Sequence, residues 1–309
     1  MPIRVIDIHQ DHRYLHRKRG FMVVSHKDEE LGRVPLDDIA AVIASGHGIT
    51  HSSNLLAALA ERGTPFVLCA DNYQPVGMLL ATDGNYHQAK RIEAQLNAGK
   101  PLIKRLWQSI VRSKLTMQAC ALDHCGQAPT PVSALIPKVR SGDPDNIEAQ
   151  AARRYWPLLF GSSFRRDRDA EDVNGLLNYG YTIIRSATAR GVIAAGLHPS
   201  IGLHHANAYN AFRLVDDLIE PFRPLVDMKV HAILASGTTE VNPSTKIQLA
   251  QILYTDLTQS EGTTPIVQCI YNLCTSLAQV FLGEADQLRL PEPPNPLNCQ
   301  LITQLDDLT

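Results

Sequence analysis

The sequence predicts an α+β protein in two parts, a small β-rich N-terminal domain and a larger, nearly all-α C-terminal domain. Short apolar runs of strand length fill roughly the first eighty residues. A turn-forming cluster, ATDGNYHQ at 81–88, then marks a boundary, and beyond it apolar residues recur at three-to-four spacing almost to the C-terminus. The expected division is 1–83, 84–290 and a Pro-rich, acidic tail over 291–309 that should be extended and mobile. A chain of 309 residues, 44% hydrophobic and 19% charged, has the composition of a globular protein with a proper core.

In order, RVIDI (4–8), YLHRKRGFMVVSH (14–26), GRVPL (32–36), AAVIAS (40–45), PFVLCA (65–70) and QPVGMLL (74–80) read as strands. One helix interrupts them. HSSNLLAALAERGT (51–64) offers Ser52 or Ser53 as N-cap, Leu55, Leu56 and Leu59 on one face, and Gly63 as a stop. Helical spacing follows in RIEAQL (91–96), LIKRLWQSIVRSKLTMQACAL (102–122), IEAQAARRYWPLLF (147–160), VNGLLNYGYTIIRSATARGVIAAG (173–196), AFRLVDDLIE (211–220), KIQLAQILYTDL (246–257) and IVQCIYNLCTSLAQVFLG (266–283). Tyr179 and Tyr181, inside an apolar run, read as core residues.

No apolar run approaches the roughly 20 residues needed to span a bilayer, and the first residues lack an apolar stretch of signal-peptide length. A cytoplasmic protein with no membrane partner is expected. The six cysteines contain no CxxC pair, so neither a zinc ribbon nor a redox motif is suggested, and the cluster CALDHC (120–125) reads as core thiols at a helix end. Net charge is −2, but its distribution is uneven: residues 101–170 carry eleven Lys/Arg against six acids, whereas in 251–309 only Arg289 opposes seven acids. The basic segment is where phosphate contacts are to be sought.

Chemistry concentrates in GLHHANAYNAFRLVDDLIEPFRP (202–224). On a helix, Asp217 and Glu220 share a face, as do Asp216 and Glu220, and like charges at that spacing need a cation between them. A divalent metal would serve, and so would Arg223. His204 and His205 lie just upstream, where HPSIG implies a loop or helix start, and imidazole with carboxylate oxygen suits Mg²⁺ or Mn²⁺. A further carboxylate comes from SGDPDNIEAQAARRYW (141–156): Asp143-Pro144 marks a helix start, Asp145 falls in the first turn, and Glu148 in the second beside small alanines. These residues alone leave open a plainer reading, a His doublet at a helix start and solvated acids.

Together the stretches resemble one family, the CRISPR-associated integrases of spacer acquisition, the first-numbered Cas proteins. The resemblance runs over nearly the whole chain: THSSNLLAALAERGTPFVLCAD (50–71), EAQAARRYW (148–156), DVNGLLNYGYTII (172–184), GLHPSIGLHH (196–205) and DLIEPFRP (217–224). LWQSIVRSKL (106–115) resembles the subgroup that accompanies single-protein RNA-guided effector (type II) systems, although KLTMQ has Met117 before Gln118 where that subgroup often has Asn. The resemblance implies a β-rich dimerisation domain and a helical catalytic domain. It implies a metal, Mg²⁺ or Mn²⁺, held by Glu148, a histidine and Glu220, with Asp217 beside them in a supporting or second-metal role. The family's interval to the carboxylates favours His205, and the doublet leaves His204 open. Implied activity is the insertion of short DNA fragments into a CRISPR array by 3′-hydroxyl attack, or DNA cleavage when water attacks. Implied partners are double-stranded DNA, a second copy of the chain, and the small second-numbered CRISPR-associated protein. Arg153, Arg154, Arg165 and Arg166 become candidates for phosphate contact, and Arg223 for that role or for pairing with a ligand carboxylate. A small-phosphoester hydrolase and a non-catalytic DNA-binding scaffold are the rival expectations.

Overall fold

In the computed structural model, residues 4–70, 75–82, 87–167, 169–170, 172–260 and 262–305 are described. Half of the expected boundary cluster, 83–86, lies outside them, as do 306–309 of the tail.

The N-terminal part contains β1 (Arg4–Ile8), β2 (Tyr14–Lys18), β3 (Phe21–His26), β4 (Glu29–Pro35), β5 (Ile39–Ala44), β6 (Thr50–His51), α1 (Ser53–Glu61), β7 (Phe66–Cys69) and β8 (Pro75–Leu79). They form two four-stranded sheets, ordered β1-β5-β7-β8 and β4-β3-β2-β6. β5 pairs in parallel with β1 and β7, and all six of its residues are buried, which explains its unbroken apolar run IAAVIA. β2 and β3 are joined by Arg19-Gly20, both at positive φ, the geometry of a tight hairpin turn. Ser52 caps α1 by accepting from the Leu55 amide, and Gly63 at φ +62° turns the chain away from its end. A small core of Leu15, Met22, Ile39, Leu55, Leu59 and Phe66 fills the space between α1 and the sheets.

The second part contains α2 (Gln88–Leu96), α3 (Lys100–His124), α4 (Thr130–Ser133), α5 (Ile147–Phe160), α6 (Val173–Ala194), α7 (Arg213–Leu218), α8 (Arg223–Ala235), α9 (Pro243–Gln251), β9 (Asp256–Gln259), β10 (Gly262–Pro265), α10 (Ile266–Phe281) and α11 (Pro296–Thr303). α6 runs through its centre with residues buried on every side. Close approach is what its glycines permit: a Cβ on Gly180 would collide with Val226 of α8, and one on Gly191 would sit 3.0 Å from Cys274 and Tyr271 of α10. The two parts are joined by more than the chain. Ile43 and Val67 belong to the larger core; Arg190 of α6 donates to the carbonyls of Ile39, Ala40 and Arg62; and Lys246 of α9 reaches Asp7 at 3.0 Å and Ser45 at 3.0 Å.

The structure departs from the sequence reading at several elements. A two-stranded hairpin, β9–β10, interrupts the helical part, because Thr258, Thr263 and Thr264 favour extended backbone and Leu257 is buried by it. α8 was missed as a helix; Pro224 in its first turn is a tolerated starting residue, not a breaker. The expected extended tail is a correction: residues 296–303 form α11, capped by Asn295 with Pro296 at the start, and Cys299 and Ile302 are buried in the main core. Asn298 fastens this helix to the hairpin, accepting from the Thr258 amide and donating to the Asp256 carbonyl.

Candidate active site

The histidine loop is built around one buried carboxylate. Asp217 of α7 is 0% exposed, and its Oδ2 accepts from the amides of Leu203 (2.6 Å) and His204 (3.2 Å). Its Oδ1 accepts from the His205 amide (3.2 Å) and from His205 Nδ1 (2.7 Å). Four donors on two oxygens use the capacity of the group, which fits a supporting role and leaves Asp217 no oxygen for a second metal. Gly202 permits the loop to close so tightly, since a Cβ there would fall 2.8 Å from Arg213 Cβ and 2.9 Å from Asp217 Oδ2. Gln95 of α2 holds the start of the loop through His198 and Ile201.

Because Nδ1 is committed to Asp217, Nε2 is the nitrogen of His205 available to a ligand. The hydrogen bond to Asp217 raises the His205 pKa; burial opposes it, and the charges of Asp217 and Glu220 add to it. His204 is placed differently. Its ring stacks on the buried Trp107 of α3, centroids 4.3 Å apart and planes 2° from parallel, and it does not line the pocket that His205 lines.

Glu148 stands in the first turn of α5, not the second. The helix starts later than Asp143-Pro144 suggests, because Asn146 at φ +50° is the cap and Asp143, buried, accepts from the amides of Ile147 (2.9 Å) and Glu148 (3.0 Å). Glu220 sits just past α7, where Pro221 cannot donate into the helical ladder and the chain tightens into the 3₁₀ turn Glu220–Phe222. Asp217 and Glu220 therefore do not share a helical face as expected: the first faces the histidine loop, the second faces α3.

Lys114 of α3 joins the two glutamates, its Nζ 2.6 Å from Glu148 Oε1 and 2.5 Å from Glu220 Oε2. Arg223 Nε lies 2.9 Å from Glu220 Oε1. Burial alone would raise the Glu220 pKa, but Arg223 and Lys114 outweigh it and hold the carboxyl at about 2. Burial likewise works against the Lys114 charge, and Glu220 and Glu148 reverse that and raise its pKa. Arg223 also lies over the Tyr181 ring at 4.6 Å, with Arg166 over the same ring at 5.6 Å. Beneath, the hydroxyls of Tyr181 and Tyr155 donate to Asp227, whose carboxyl burial pushes up to about 6.

Glu148, His205, Glu220, Lys114, Arg166, Arg185 and Arg223 line a cavity of about 530 Å³. Three of the residues singled out as metal ligands thus meet in one pocket from three separate elements. Of the candidate arginines, Arg166 reaches it, bonded to Asn174 and Asn178, and Arg223 does so while paired to Glu220. Arg153, Arg154 and Arg165 are exposed and donate to backbone carbonyls. Asp216 is paired with Arg185 at 2.6 Å. Sequence reading missed Lys114 as a site residue. The signal was its spacing, since Trp107 and Lys114 are seven apart and so share the buried stripe of α3. The CALDHC thiols tie α3 to α11, with Cys120 and Cys299 sulfurs 4.0 Å apart and His124 3.2 Å from Thr303.

Two carboxylates and an imidazole nitrogen make an oxygen-rich donor set suited to Mg²⁺ or Mn²⁺, and a buried carboxylate behind the imidazole is the usual device for orienting a ligating histidine. Glu148 and Glu220 already face a cation, the Lys114 ammonium. Among the described residues no three of His, Cys, Asp and Glu are gathered around a common point as placed.

The family model described as CRISPR associated protein Cas1 matches residues 6–255. The chain belongs to the Cas1 family. The CRISPR-associated endonuclease Cas1 of Neisseria meningitidis serogroup C (strain 8013) is 38% identical to it over 264 residues, covering 84% of this chain and 86% of that relative. Beyond Cas1 itself, a casposase bound to integration product shares the fold, with a TM-score of 0.82 at 16% identity over 98% of this chain and 96% of that one. A Cas6-RT-Cas1–Cas2 complex contains a chain with a TM-score of 0.76 at 18% identity, over 94% of this chain and 36% of the other. The architecture described here, β-rich at the N-terminus and helical beyond, is shared with both solved structures. Among the described residues, no helix is long and apolar enough to cross a membrane.

Proposed function

We propose that this protein is a metal-dependent DNA integrase and endonuclease of CRISPR spacer acquisition, joining the 3′-hydroxyl of a short DNA fragment to a phosphodiester of the CRISPR array. The observation that carries the reading is the convergence of Glu148, His205 and Glu220, distant in sequence, on one basic cavity. Family membership and 38% identity to a CRISPR-associated endonuclease support the activity class, and the casposase bound to integration product supports strand transfer.

In this reading Glu148, Glu220 and His205 Nε2 hold Mg²⁺ or Mn²⁺. When bound, the ion supplies charge neutralisation at the attacked phosphate and lowers the pKa of the attacking hydroxyl or water. Asp217 fixes the His205 ring through Nδ1, so that Nε2 is the nitrogen that would hold the ion. Tyr181, held by Asp227, supports the guanidiniums of Arg166 and Arg223 at the cavity wall, where they meet backbone phosphate, with Arg153, Arg154 and Arg165 as further phosphate contacts outside it. The β-rich segment 1–83 mediates a homodimer, the helical segment 84–290 carries the chemistry, and the Cas1–Cas2 assembly among its structural relatives supports a complex with the small second-numbered CRISPR-associated protein. The reaction takes place in the cytoplasm on double-stranded DNA, spacer precursor and repeat alike.

The test is strand transfer of a short duplex into a supercoiled plasmid, with Mn²⁺ or Mg²⁺ against EDTA, for wild type, Glu148→Ala and His205→Ala, with and without the partner protein. Metal-dependent joining lost in both variants is expected. DNA binding with no joining under any condition would overturn the integrase reading in favour of a scaffold.

A further inference from the structure

Lys114 stands on the stripe of α3 that buries Leu106, Trp107, Ile110, Val111 and Leu115, and its side chain is 11% exposed. An ammonium withdrawn from water stays charged only when partners compensate it. Its partners here are the two carboxylates that the proposed function assigns to the metal. A pair built only to hold α3 against α5 would need one of them; Nζ bridges both, at 2.6 and 2.5 Å. Two oxygens at those distances from one nitrogen are at most about 5 Å apart. Two oxygen ligands of Mg²⁺ at about 2.1 Å from the ion are at most about 4 Å apart. The ammonium therefore keeps the carboxylates close to the separation a divalent ion requires.

We infer that Lys114 is the resident cation of the metal-free site and is displaced from between Glu148 and Glu220 when the divalent ion binds. This rests on the metal reading above and deepens it. The lysine spares the protein two facing carboxylates short of charge, so the cavity is assembled before metal arrives. It also competes with the ion, because the metal must break both ion pairs to gain its oxygens. Once released, the ammonium turns into the cavity that it lines.

The experiment measures Mn²⁺ binding by calorimetry for wild type, Lys114→Met and Glu148→Gln, and reactivity of wild-type Lys114 toward an acylating reagent by mass spectrometry. Lys114→Met is expected to bind Mn²⁺ tighter than wild type by roughly tenfold or more, because the metal then relieves an uncompensated buried charge. Lys114 in the wild type should be protected in EDTA and become acylated in saturating Mn²⁺. Equal Mn²⁺ affinity of wild type and Lys114→Met, or acylation that does not rise with Mn²⁺, overturns the displacement. Absence of Mn²⁺ binding by wild type and Lys114→Met alike, or binding unweakened in Glu148→Gln, overturns the metal reading itself. Should Lys114→Met fail to fold, the wild-type acylation still decides.

Discussion

Replacing Asp217 with asparagine keeps the shape of the side chain and removes half of its acceptors. In the native loop Oδ2 serves the Leu203 and His204 amides, and Oδ1 serves the His205 amide and imidazole. Whichever way the asparagine amide is turned, its NH₂ group confronts two of these four donors. An unmade hydrogen bond at a buried group costs about 1–3 kcal/mol; the donors on 204 and 205 are partly reached by water, so the lower end applies and the sum is about 2–3 kcal/mol. Urea unfolding in EDTA measures it without any contribution from metal. The imidazole adds a pH signature. Hydrogen bonding to Asp217 raises the folded His205 pKa, so that share of stability is fully present below the unfolded value of about 6.5 and is lost as pH rises through the folded one. The gap between wild type and Asp217→Asn should therefore be wider near pH 6 than near pH 9, and the His205 titration followed by NMR should move down in the variant. A loss under about 0.5 kcal/mol with an unchanged His205 titration would refute the anchoring role of Asp217.

The remaining predictions concern neighbouring features. His204→Ala should retain strand transfer within a few-fold and lose about 1 kcal/mol of stability with its stack on Trp107, whereas His205→Ala should abolish joining; equal loss in both assays would make the two histidines equivalent. Asp227 is buried with a carboxyl raised from 3.8 to about 6, so the stability it contributes is present below about pH 4 and lost as pH rises through about 6. Asp227→Asn should consequently gain up to about 3 kcal/mol above neutral pH and little near pH 4, and a pH series of urea melts showing a flat difference would refute this. Ile302→Ala should cost about 2–4 kcal/mol by thermal or urea unfolding, because Ile302 is 1% exposed in the main core; no cost would mean that α11 is a loose tail.

What the sequence disclosed and what it withheld follow from the range of each interaction. Local periodicity located α3, α6 and the buried run of β5, because burial of one face or of both faces writes itself into neighbouring residues. The boundaries were harder. Asp143-Pro144 has the signature of a helix start, yet Asn146 takes the cap and Asp143 serves two amides from outside the helix. Pro-rich composition made 291–309 look extended, although Asn295-Pro296 is itself a helix-start pair, and only the tertiary contacts of Asn298, Cys299 and Ile302 reveal that it docks. Glu148, His205 and Glu220 were named from motifs, and their meeting in one cavity is a tertiary fact. Lys114 was withheld for the opposite reason. A lysine on a helix is read as solvated, and nothing near it in the sequence shows that Glu148 and Glu220, 34 and 106 residues further on, will close around it.

The central helix α6 has a mechanical consequence. Near its first half it presents Asn178, Tyr181 and Arg185 to the cavity, and near its end Arg190 grips three carbonyls of the β-rich part. It is notched at both stations, at Gly180 among the cavity-facing residues for Val226 and at Gly191 beside Arg190 for Cys274 and Tyr271, so it can neither turn about its axis nor slide along it without collision. A helix keyed in this way transmits load as a stiff rod. Force exerted on the cavity wall at Tyr181 is delivered about 13 Å away to the start of β5, an interior strand of its sheet, and a torque on that sheet is felt at the wall in return.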